Sequence, residues 1–198
     1  AKCVGAHFRN ANGKNFEFVS QLGSEMLDAV IEDTASGFNV FSTSAPGGAP
    51  TATNYKCKIK NVQVLDGNGQ LLNVLGFEDG EISGIVATNV QRLEAGCYRT
   101  EITGNRIEAA GNIAARVSGG GNKIWKNRLD ISSAGASGVA ALRFNGVAST
   151  DNIAWDNTLI HDAAAVAWDE ASSAADNLVK SYFDSDANIH DVNYHAMQ

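Results

Sequence analysis

"NKIWKNRLDI" (residues 122–131) reads by itself as one short strand. Its grammar returns at "TEITGNRIEA" (100–109) and again at "DNIAWDNTLI" (151–160). Each copy has an aliphatic, then an Asn, then a second aliphatic. Self-similarity at a period of about 20–50 residues is the mark of a solenoid or array, so this repeat governs the fold. Taking the aliphatic after each turn as a marker gives Ile82, Ile102, Ile124, Ile153 and Leu178, at intervals of 20, 22, 29 and 25 residues. Three or four residues further stand Asn105, Asn127, Asn157 and Ser181. Two beyond those come Ile107, Leu129, Leu159 and Phe183. Ile59 with Asn61, or Cys57 in its place, makes a looser earlier copy, and Val30 and Cys3 mark two more.

A second strand precedes each marker: "LLNVLGF" (71–77), "GCYRTE" (96–101), "NIAARVS" (112–118), "GVAALRF" (138–144) and "AAVAWDE" (164–170). Gly-, Asn- or Ser-rich turns such as "EDGE", "SGGGN" and "NGVASTDN" join the pairs. Short apolar or alternating runs bounded by turn residues are strands. Stacked coil upon coil, they predict an all-β fold, a right-handed parallel β-helix of six to eight coils. Rungs about 4.8 Å apart make it a rod of roughly 30–40 Å. The markers then form aliphatic columns inside. The Asn residues fall at one tight turn, where they tolerate left-handed backbone and bond along the stack.

Regular L-x-x-L-x-L spacing and tandem GGxGxD nonapeptides are both absent, which disfavours a leucine-rich repeat and a calcium β-roll. A β-sandwich stays open as an alternative, since short strands and turns suit it too. Residues 55–198 read as regular coils, and 1–54 as irregular coils with an inserted loop near 44–54, "SAPGGAPTATN". The segment 21–30 reads as either a helical turn or part of a coil. The two parts form one continuous domain, and the absence of an initiating Met suggests a fragment or processed product.

The 198 residues suffice for a sizeable core, and 44% hydrophobic with 19% charged residues is a globular balance. A net charge of −7 argues against a general nucleic-acid partner. No apolar run reaches the ~20 residues of a membrane span, and the N-terminus has no signal-peptide pattern. Cys3, Cys57 and Cys97 are odd in number and widely spaced, and read as buried free thiols suited to assembly in a reducing cytosol. His7, His161, His190 and His195 lack metal-ligand spacing, although His190, Asp191 and His195 cluster near the C-terminus. With no P-loop and no GxSxG, neither metal nor cofactor is expected.

The coils "EITGNRIEAAGNIAARVSGGGNKIWKNRLD" and "ASGVAALRFNGVASTDNIAWDNTLIHD" resemble the pectate-lyase-like superfamily of β-helices, in the style of phage tailspikes and capsule depolymerases, over roughly residues 55–185. The resemblance implies polysaccharide binding, often with hydrolysis, β-elimination or epimerisation. For tailspikes it implies a homotrimer on the virion tail that recognises bacterial surface glycans, or an extracellular location after assembly. "NIAARVSGGGNKIWKNRL" is similar to the Arg-containing coil of alginate and chondroitin lyases, with Arg116 at the matching position. Val117 stands where those lyases have His, and no upstream Lys matches their base.

Alternation within the strands turns Arg116 and Arg143 outward, and coil alignment adds Arg99 and Asp169 to give one stripe. Guanidinium pairs bidentately with carboxylate, so such a stripe suits carboxylated sugars; cross-coil ion pairs on a solvated face are the plainer reading. Glycoside hydrolysis needs two carboxylates about 5–9.5 Å apart. Glu78, Asp79 and Glu101, at corresponding corners of neighbouring coils, are candidates, and Glu108 with Asp130 makes another pair. Trp125 follows a core Ile and so points outward, offering a flat ring to a sugar; Trp155 and Trp168 face either way.

The expectation is therefore a polysaccharide-binding β-helix that degrades its glycan as a glycoside hydrolase or polysaccharide lyase. The alternatives are a non-catalytic trimeric receptor-binding spike and a lyase of uronate polymers.

Overall fold

Strands of two to eight residues form because apolar side chains alternate with polar ones and a corner residue ends each run. The computed structural model describes residues 2–9, 17–19, 22–32, 41–44, 54–67, 71–132, 139–162, 165–171, 173–184 and 189–191. Among these there is no helix, and the strands stack into a parallel β-helix, as the repeat predicts.

Three sheets run along the rod. Sheet A comprises Lys2–Val4, Glu25–Leu27, Lys58–Lys60, Glu81–Ser83, Glu101–Thr103, Lys123–Trp125, Ile153–Trp155 and Leu178–Val179. Sheet B comprises His7–Arg9, Val30–Glu32, Gln63–Leu65, Val86–Val90, Arg106–Ala109, Arg128–Asp130, Asn157–Ile160 and Ser181–Phe183, closed by the antiparallel strand Ile189–Asp191. Sheet C comprises Glu17–Val19, Phe41–Ser44, Leu71–Glu78, Arg92–Tyr98, Ile113–Val117, Ala140–Phe144 and Val166–Glu170, with Asn54–Tyr55 paired beside Leu71–Glu78. Sheets A and B extend into the part expected to be irregular, and 22–32 is coil rather than helix. The loop expected near 44–54 lies outside the described residues, apart from its two end residues, which are in strands.

Corners are made by left-handed residues. Between sheets C and A stand Gly23, Lys56, Asp79, Arg99, Gly121, Asp151 and Asp176, with φ from 49° to 69°. Between sheets A and B stand Gly5, Asp28, Asn61, Gly84, Gly104, Lys126 and Asp156, with φ from 53° to 65°. Each non-glycine there costs roughly 1–2 kcal/mol. Cross-coil bonding offsets that cost: the Arg99 N–H donates to Gly120 O at 2.9 Å, and the Asp79 N–H to Tyr98 O at 3.0 Å.

Asn61 of the looser copy is the left-handed residue, as expected, but Asn105, Asn127 and Asn157 are not; each follows the left-handed residue and is buried. Asn127 Nδ2 donates to Ile102 O at 2.9 Å and to Asn157 Oδ1 at 3.0 Å. Its own Oδ1 accepts from the N–H of Asn105 at 3.0 Å and from Asn105 Nδ2 at 2.9 Å. A second ladder, Asn122–Asn152–Asn177, runs up the other corner with Nδ2-to-Oδ1 distances of 2.8 and 2.7 Å.

The core is a set of columns. Met26, Ile59, Ile82, Ile102, Ile124, Ala154 and Val179 align in sheet A and are all buried. Ile31, Val64, Ala87, Ile107, Leu129 and Leu159 do so in sheet B. In sheet C, Leu72, Leu93, Ala115, Leu142 and the half-buried Trp168 align.

Ile153, expected in the first column, is displaced by one residue: it pairs with Lys123 on the outer face, and Ala154 takes the core place. Leu178 pairs with Ile153, and Phe183 with Thr158, so both markers shift likewise. The ladder explains the shift. Seating Asn152 on Asn122 satisfies several buried polar groups, each worth about 1–3 kcal/mol if left unpaired. Burying Ile rather than Ala would gain only about 2 kcal/mol. Cys57 and Cys97 are buried as expected, whereas Cys3 is partly exposed. Burial pushes the Cys97 thiol up to about 12.

Candidate functional site

The outward row of sheet C is Asn73, Glu94, Arg116, Arg143 and Asp169, one per rung. Arg116, Arg143 and Asp169 share a stripe as expected, but Arg99 does not. The strand of its coil begins at Arg92 and ends at Tyr98, so Arg99 falls on the left-handed corner and Glu94 takes its place beside Arg116. This row neutralises itself. Glu94 is only 6% exposed, and its carboxylate accepts from Arg92 Nε at 2.8 Å and Arg116 Nε at 2.7 Å. Arg143 Nε lies 3.4 Å from Asp169 Oδ2, an ion pair without hydrogen-bond alignment.

At the corner, Arg99 engages both Glu78 and Asp79, its Nε donating to Asp79 Oδ1 at 2.8 Å. That hydrogen bond holds the Asp79 carboxyl below its ordinary value, and the two acids push the Arg99 guanidinium up. The structure thus brings together two residues expected to be catalytic and one expected to bind substrate. Glu101 starts the next rung of sheet A, in register between Glu81 and Lys123. Glu108 and Asp130 are also in register, with Asp130 bonded to Ser132 and ion-paired to Arg128.

The outer face of sheet A changes character along the rod. Its first rungs carry paired charges: Lys2–Glu25 at 3.3 Å, Lys58–Glu25 at 3.9 Å and Lys60–Glu81 at 2.9 Å. Its last rungs carry Trp125, Ile153, Trp155 and Leu178, all half-buried. Trp125 points outward as expected, and Trp155, left open by the sequence, lies flat against it. Their ring centroids are 5.1 Å apart and their planes differ by 3°.

Beside Trp155 is a hollow of about 340 Å³ lined by Lys123, Ile153, Trp155, Lys180 and Ser181. A second, of about 360 Å³, is lined by Asp151, Ile153, Asp176 and Leu178. These volumes fall in the range of small-ligand sites, roughly 300–1,000 Å³. One signal for this site was present in the sequence: a Trp stands two residues before the ladder Asn in both repeats, Trp125–Asn127 and Trp155–Asn157. It is masked because the apolar pattern matches Ile153 to Ile124, where the structure matches Ala154.

Among the described residues no group of three or more His, Cys, Asp or Glu is placed to hold a metal ion. Among the described residues no helix is long and apolar enough to cross a membrane. No protein-family model, no curated protein and no solved structure matches the chain.

Proposed function

We propose that this β-helix binds polysaccharide, with the stacked Trp125 and Trp155 as its platform. The observation that carries the reading is that stack, standing on the outer face of a sheet next to a hollow. Stranded aromatic area on a solvated surface is a cost unless a partner covers it. The apolar face of a pyranose is such a partner, and neighbouring Lys, Asp and Ser groups meet its hydroxyls.

Binding without cleavage is the form these observations favour. Two of the three acids expected to do acid–base work, Glu78 and Asp79, are held by Arg99. Asp79, whose carboxyl the Arg99 hydrogen bond holds below its ordinary value, is poorly suited to donate a proton. The likeness to the pectate-lyase-like superfamily and to tailspikes supports placing this binding role on a homotrimeric virion spike.

An array of bacterial capsule and lipopolysaccharide glycans tests the proposal. A glycan should be retained by the native chain and lost, by about tenfold or more in affinity, in Trp155→Ala. Retention by the variant would remove the Trp platform, and no retained glycan at all would sink the reading. Release of shortened chains from a bound glycan would restore the depolymerase reading over plain binding.

A further inference from the structure

We infer that the groove between the last two rungs of sheet A takes a two-residue glycan segment of mixed charge, an amino sugar beside an acidic sugar. This rests on the glycan-binding reading above and adds the class of ligand. The two hollows are neighbours, because Ile153 lines both. Their other residues order them along the strand. Asp151 and Asp176 occupy the same corner position on adjacent rungs, at φ 56° and 59°. Ile153 and Leu178 follow, paired in register. Trp155, Lys180 and Ser181 close the far end, with Lys123 reaching in from the previous rung.

The groove therefore runs with the strands, across the rod axis. At ~3.3 Å per residue it spans on the order of 10 Å, room for two pyranose rings. Its floor is apolar, Asp151 and Asp176 stand at one end, Lys180 stands by Trp155 at the other, and Lys123 lies level with Ile153 on the previous rung.

The distribution of charge is the telling feature. On the first rungs of this same face, lysines and glutamates neutralise one another directly. Asp151, Asp176, Lys123 and Lys180 make no ion pair or hydrogen bond of their side chains among the described residues. Acidic groups at one end of an apolar floor, with one lysine at the other end and a second alongside, complement a ligand whose own charges are separated. A sugar ring lying against Trp155 puts its carboxylate between Lys123 and Lys180. The adjoining ring then sits over Ile153 and Leu178, with its ammonium between Asp151 and Asp176.

A glucuronate–glucosamine disaccharide tests this in four forms: unmodified, N-acetylated, methyl-esterified, and both. Calorimetry should find the unmodified form tightest, with each neutralisation costing about threefold to tenfold, as exposed ion pairs allow. Asp151→Asn with Asp176→Asn should erase the preference for the free amine alone. Lys123→Gln with Lys180→Gln should erase the preference for the carboxylate alone. Equal binding of all four forms, still dependent on Trp155, would overturn the mixed-charge inference and leave the glycan reading standing. So would failure of all four alongside Trp155-dependent retention of another glycan. Absence of any Trp155-dependent glycan binding would take the underlying reading with it.

Discussion

Asn127 shows how much one residue carries in this fold. Its amide serves four hydrogen bonds at once, two given and two received, while buried in the wall of the rod. Asn127→Ala should strand several of those groups and destabilise the rod by about 3 kcal/mol or more in urea unfolding. Asn89, whose exposed side chain bonds Asp66 at 2.6 Å, is the control; it stands at φ 52°, so Asn89→Gly, which suits that backbone, should cost below about 1 kcal/mol. Equal losses for the two would mean the ladder is incidental. Arg99 is the second residue-scale case. The Asp79 carboxyl is lowered mainly by the Arg99 hydrogen bond, so Arg99→Ala should raise it toward the ordinary carboxylate value. A lowered acid contributes stability above its unfolded value and loses it as the pH falls through the folded one. In the native chain that contribution fades as the pH falls from the ordinary carboxylate value through the lowered one, and in the variant it shrinks. An NMR titration of Asp79 that does not move in the variant would contradict this.

At the scale of the strand, register is decided by competition between apolar burial and polar satisfaction. In Ile153–Trp155 the pattern Ile-Ala-Trp offers two ways to face the core, and the apolar choice would bury Ile153. The ladder choice buries Ala154 and turns Ile153 and Trp155 out together. Trp155 then stacks on Trp125, so the site on sheet A exists only because the Asn ladder wins. Ile124, 1% exposed between Ile102 and Ala154, should cost about 2–4 kcal/mol when cut to Ala, by lost burial and a residual cavity. Ile153→Ala should cost less than about 1 kcal/mol, because the side chain is only half-buried. Thermal or urea unfolding of the two variants distinguishes the registers; the reverse order of losses would restore Ile153 to the core.

For the whole molecule, each rung leans only on its two neighbours, so stability accumulates along one dimension. Terminal rungs have one neighbour and should open first. Native-state hydrogen exchange of this chain should therefore show greater protection between Ile82 and Leu129 than in Lys2–Val4, which among the described strands of sheet A pairs on one side only. Uniform protection along the rod would mean that it opens only as a unit. Parallel pairing of residues 20 or more apart in sequence also predicts slow folding. The β-helix was legible from the sequence because a stacked core forces like side chains to recur at each rung, and Ile82, Ile102 and Ile124 do so plainly. The outward setting of Arg116, Arg143 and Trp125 was legible too, since alternation within a strand is a local property. What only the tertiary structure decided was which residues meet across rungs. The coil lengths differ, so whether Arg99 faces Arg116 or Glu78, and whether Ile153 or Ala154 is buried, depends on contacts far apart in the chain. Those choices are set by buried hydrogen bonds and corner geometry, whose energies rival the burial of a methyl group or two and leave no periodic trace.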